Sequence, residues 1–95
     1  TLNMANEMLA FTLTDRGTWI KFNNKDNLEI VCENKPHLFN QYGIVAINPN
    51  KHNNTNHIWA HKYISWIISE KGKKLINNFK ISGEQLFFFN YKENY

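Results

Sequence analysis

The stretch "YGIVAIN", residues 42 to 48, is apolar at nearly every position and is closed by Pro49. A run without polar alternation does not suit a strand with one wet face. It suits a strand covered on both faces, so the fold that carries it needs cover on each side. A second strand is expected at "LEIVCE" from its alternation, with Leu28, Ile30 and Cys32 on one face and Cys32 as a buried packing thiol. A third is expected at "FTLT", residues 11 to 14, from strand propensity.

Helical patterns separate these runs. "TLNMANEMLAF" carries Leu2, Met4, Ala5, Met8, Leu9 and Phe11 at amphipathic spacing, with Thr1 placed to cap the helix through its hydroxyl. "DRGTWIKF" predicts a short helical turn starting at Thr14 or Asp15, and "NKPHLFNQ" a loop around Pro36. A longer helix is expected from about residue 55 to 69, capped by Asn54 or Thr55. Its stripe of Trp59, Tyr63, Trp66 and Ile67 reads as core against a sheet. Ser69 caps the next helix, with Leu75, Ile76 and Phe79 facing inward; Ser82-Gly83 makes a turn, and "LFFF" follows as a strand-like packing tail. This order reads as α/β. The opening helix has no strand before it to complete a crossover unit, which points to a missing N-terminal part.

Charge narrows the function classes only slightly. Eleven Lys plus Arg against eight Asp plus Glu leave +3, and every cation except Arg16 is a lysine scattered along the chain. A nucleic-acid domain more often gathers its charge on one face. The lone Cys32 cannot form an internal disulfide and has no histidine near it in sequence, against a nucleophilic role. No apolar stretch approaches a membrane span, and no secretory leader is visible.

His52, His57 and His61 crowd the entrance of the long helix. His57 and His61 share the spacing of an H-E-x-x-H metalloprotease, but Ile58 stands where its general base would be. A structural zinc site wants four ligands, and no cysteine lies near the pair. The histidines therefore read as a polar-side pair, with no metal and no cofactor expected. No nucleophile elbow, Gly-rich phosphate loop or close carboxylate pair is present, so no catalytic residues are assigned.

Two stretches, "FTLTDRGTW" and "YGIVAINPNKHNNTN", with "WIISEKGKKLINNF" and "SGEQLF" at matching intervals, resemble the C-terminal portion of a known family. It is that of the tungstate-binding proteins, the substrate-binding components of ABC importers within the type II periplasmic-binding-protein superfamily. Phe11 stands where that family usually has tyrosine, and Asn53 where proline is common. The resemblance implies the C-terminal part of a two-lobed fold, incomplete without its N-terminal part. Residues 1–30 would end the second lobe, 31–48 would form crossover and hinge strands, and 49–95 the C-terminal helices and tail returning to the first lobe. It also implies a non-enzymatic solute-binding protein, periplasmic or on the cell surface, that captures tungstate or molybdate for an ABC transporter permease.

The family's Thr/Ser-rich anion loop and its Arg-containing segment have no counterpart among these residues. By the same resemblance, Thr12 and Thr14 at the end of "FTLT" would offer hydroxyls to the anion, Thr12 by analogy with a ligand tyrosine of the related molybdate-binding proteins. Thr1, at a helix start, is the third candidate. Asp15 reads as a cap, because a carboxylate beside a dianion costs Coulomb energy. Arg16 reads as a surface ion-pair partner. The competing reading is a small basic nucleic-acid-binding domain. A chain lacking half a lobe should also expose apolar surface and self-associate or meet a partner chain.

Overall fold

A computed structural model describes residues 1–93. It contains four α-helices: α1 (Leu2–Met8), α2 (Arg16–Lys21), α3 (His57–Ile67) and α4 (Glu70–Asn78). A 3-10 turn spans Pro36–Leu38, and β1 (Lys80–Ile81) pairs antiparallel with β2 (Glu84–Gln85). The described residues are thus helix-rich with one small sheet.

Three of the four α-helices, α2, α3 and α4, start where a side chain takes a free N–H. Asp15 caps α2, its carboxylate accepting from the Thr18 N–H at 3.0 Å. Ser69 caps α4, accepting from the Gly72 N–H at 3.3 Å while donating to the Trp66 carbonyl at 2.5 Å. One hydroxyl thereby ties the last turn of α3 to the first turn of α4. The cap of α3 is Asn56, which accepts from the Trp59 N–H at 3.3 Å. It displaces the expected Asn54 and Thr55, because Thr55 instead donates to the His52 carbonyl at 2.9 Å. The Thr1 hydroxyl makes no capping bond, contrary to expectation; only its carbonyl is engaged, accepting from the Ala5 N–H at 2.9 Å.

The hairpin agrees with its turn chemistry. Ser82 and Gly83 have φ of 52° and 79°, the paired left-handed conformation that a two-residue loop between twisted strands requires. The "LFFF" run, residues 86 to 89, is not a strand. It is held instead by Asn77, which accepts from the Phe89 N–H at 2.8 Å, and by a reciprocal amide pair between Gln41 and Asn90 at 3.2 and 2.7 Å. Tyr42 meets the Phe87 ring edge-on at 5.7 Å.

The three runs expected as strands, residues 11–14, 28–33 and 42–48, do not pair with one another. A strand exists only when a neighbour satisfies its N–H and C=O groups, and these runs find no such neighbour among the described residues. Burial follows pairing. Cys32 is exposed rather than buried, and Val45 is 86% exposed. The aromatic stripe of α3, expected as core, is also open to solvent, with Trp59 at 62%, because the sheet it was to cover is not formed here. Leu2 and Ala5, with Asn6 accepting from the Asn27 N–H at 3.1 Å, make the buried cluster under α1.

The dimensions agree with this openness. The radius of gyration is 18.1 Å, against about 13 Å for a self-contained domain of this length. The accessible surface is 8473 Å², against roughly 5,700 Å² for a folded monomer of equal mass.

Of the four glycines, Gly72 at the α3–α4 corner has the least room. A Cβ built on Gly72 would stand 2.2 Å from the Ile67 carbonyl oxygen and 2.6 Å from that of Trp66, both backbone atoms. Gly72→Ala should therefore destabilise the fold by about 1–3 kcal/mol. Gly43→Ala, whose Cβ meets nothing within 4 Å, should change it by less than about 1 kcal/mol. Chemical denaturation of the two variants separates these outcomes.

Candidate functional site

The segment from Ala10 to Thr14 enters α2 without regular structure, and all of it is solvent-exposed. Thr12 and Thr14 lie two residues apart on it. The Thr14 hydroxyl reaches the Asp15 carbonyl only at 3.5 Å, the outer limit of a hydrogen bond. Among the described residues no partner takes the Thr12 hydroxyl. Thr1 is exposed at the far end of α1 and is not joined to this pair by any hydrogen bond among the described residues.

The next two residues are occupied. Asp15 accepts from the Thr18 hydroxyl at 2.7 Å and from the Thr18 N–H at 3.0 Å. Hydrogen bonding to Thr18, the side-chain bond foremost, holds the Asp15 carboxyl below its ordinary range. Arg16 donates to Glu33 at 2.7 Å, bridging α2 to the run that ends at Glu33. Both ends of that ion pair are more than a third exposed, so it contributes about 0–1 kcal/mol. The expected assignments of Asp15 as cap and Arg16 as ion-pair partner both agree with this geometry.

Two grooves flank the start of α3 instead. One of about 440 Å³ is lined by Asn53 through Ile58, and one of about 310 Å³ by Val45, Ile47, Thr55, Asn56, His57 and Ala60. Thr1, Thr12 and Thr14 line neither. The Asn-rich "NNTN" before α3 was the available signal, but it reads first as loop and cap. His57 and His61 stand on successive turns with ring centroids 4.2 Å apart and planes at 74°. His57 is half-buried and His61 exposed, as a polar-side pair should be. Among the described residues no group of three or more His, Cys, Asp or Glu side chains is gathered for a metal ion, and no helix is long and apolar enough to cross a membrane.

The chain is 42% identical, over 82% of its length, to the tungstate-binding protein TupA of Peptoclostridium acidaminophilum. It is 38% identical over 96% of its length to the tungstate-binding protein TupA of Campylobacter jejuni. A putative ABC transporter anion-binding protein of Haloferax volcanii is 35% identical over 95% of it. This chain is therefore a relative of curated tungstate-binding proteins, matched to a segment of each. It spans between 27% and 35% of the length of these relatives. No family profile matches it, and no solved structure does. Nothing in these similarities favours the nucleic-acid reading.

The Asp15 cap makes a titration prediction. Because its folded pKa is depressed, the stability it contributes is present above the ordinary carboxylate value, about 3.9, and is lost as pH falls through the lower folded value. Thr18→Val removes the hydroxyl donor and should raise the Asp15 pKa toward the ordinary range. Carboxyl carbon shifts followed by NMR between neutral and strongly acid pH read this directly; an unmoved Asp15 midpoint contradicts the assignment.

Proposed function

We propose that this chain is part of an extracytoplasmic solute-binding protein that captures tungstate, and by shared charge and shape molybdate, for an ABC importer. The observation that carries the reading is the similarity to two tungstate-binding proteins over 82% and 96% of the chain. On this reading the chain belongs to a two-lobed periplasmic-binding fold. Residues 1–30 close the second lobe, 31–48 cross between lobes, and 49–95 return to the first lobe. The unpaired runs and the exposed stripe of α3 are then surfaces that the remainder of the protein covers.

A tetrahedral dianion is best held for transport by neutral donors, which compensate its charge without making release prohibitively slow. Thr12 and Thr14 fit that role, as exposed hydroxyls with weak or no internal engagement. Thr1 is a third such hydroxyl. Asp15 stays outside the anion's reach, its carboxylate turned into the first turn of α2. No bond is made or broken in this function. Lobe closure around the anion is the signal a membrane permease would read.

The test uses the full-length protein that carries this chain. Tungstate in hundredfold excess over its Kd should raise the unfolding free energy by about 2.7 kcal/mol, and molybdate should act at the same site. Thr12→Ala or Thr14→Ala should each cost about 1.5–3 kcal/mol, roughly 10–150-fold in affinity, if the hydroxyl donates to the dianion. Calorimetric titration reads both. Unchanged affinity in both variants removes these ligands, and absence of tungstate binding in the unaltered protein removes the function.

A further inference from the structure

We propose that Glu33 sets how tightly the Thr12–Thr14 segment holds a dianion, by neutralising Arg16 beside it. The inference rests on the anion-binding reading above and deepens it; neither partner of the pair needs to touch the anion. Arg16 is the sole arginine of the chain and stands two positions after Thr14, so their Cα atoms are at most about 7 Å apart. At low salt the Debye length is about 30 Å. The Arg16 charge then acts on an anion held at Thr14 whichever way its long side chain points.

The ion pair is placed by the fold and not by neighbouring sequence. Arg16 Nη2 donates to Glu33 Oε2 at 2.7 Å, across 17 positions of the chain. Among the described residues it is the one side-chain hydrogen bond that either partner makes. The start of α2 does not depend on it, because Asp15 supplies that cap through Thr18. Both partners are more than a third exposed, so the pair adds little stability. What it changes is the local charge.

A free guanidinium beside a dianion adds a full opposite charge, which strengthens capture and slows release. Paired with Glu33, that charge is cancelled, and neutral hydroxyls are left to decide the affinity. Asp15 is the other charge at this place in the chain. Its carboxylate stays bonded to Thr18 and is the same background in every variant below.

The test is calorimetric titration of the full-length protein with tungstate at about 0.01 M and about 0.15 M salt. Glu33→Gln, which frees the guanidinium charge, should tighten binding about two- to fivefold at the lower salt. Arg16→Gln, which leaves the Glu33 charge alone, should weaken binding about two- to fivefold. The Arg16→Gln/Glu33→Gln double variant should return to within about twofold of the unaltered protein. Both single shifts should shrink at the higher salt, as screening requires. A pair that only braces α2 against residues 28–33 gives a different pattern, with both single variants weaker at either salt. Weakening in Glu33→Gln, shifts of equal sign, or no shift in either variant would overturn the proposal while leaving tungstate binding in place. An unaltered protein that binds no tungstate would remove the anion reading itself, and this proposal with it.

Discussion

Pairing of backbone groups is the constraint on which everything else in this chain depends. Residues 11–14, 28–33 and 42–48 have strand composition, and none finds a neighbouring strand here. Without a sheet built from these runs, the aromatic stripe of α3 has no surface to cover, and Trp59, Tyr63 and Trp66 stay open to solvent. Order is carried instead by local devices, the Asp15, Asn56 and Ser69 caps and the Ser82-Gly83 turn, and by one long-range amide pair between Gln41 and Asn90. Such devices contribute about a kilocalorie each, enough to shape helices and a hairpin but not to replace a core.

The same constraint bears on the proposed function. An anion site between lobes needs donors from both sides of a cleft, and this chain spans about a third or less of each curated relative. Thr12 and Thr14 are offered on an exposed segment between α1 and α2, with Asp15 withdrawn into the helix cap and Arg16 on Glu33. That division leaves neutral hydroxyls facing outward and places the nearest carboxylate in internal bonds. It suits reversible capture of a dianion.

Features set by neighbouring residues were legible in the sequence. Ser69 before Glu70, Asp15 before Arg16 and the Ser82-Gly83 turn each act within a few positions of themselves, and the structure agrees with all three. The start of α3 was legible only to within two residues, because Asn53, Asn54, Thr55 and Asn56 are all competent caps and the choice fell to which hydroxyl the His52 carbonyl engaged. The strands were not legible as structure, since alternation in "LEIVCE" records a preference for a pleated surface and not the presence of a partner. Burial of Cys32 and of the α3 stripe failed for the same reason. The kinship carried by "FTLTDRGTW" and "YGIVAINPNKHNNTN" was legible without any fold. The grooves beside α3 were not, because the Asn-rich run that lines one of them also serves as loop and cap.

Amide hydrogen exchange of the full-length protein, compared with the isolated 95-residue chain, tests most directly whether these runs belong to a larger sheet. The account predicts strong protection of residues 28–33 and 42–48 in the full-length protein and rapid exchange of both in the isolated chain. Equally rapid exchange in the two forms would contradict it.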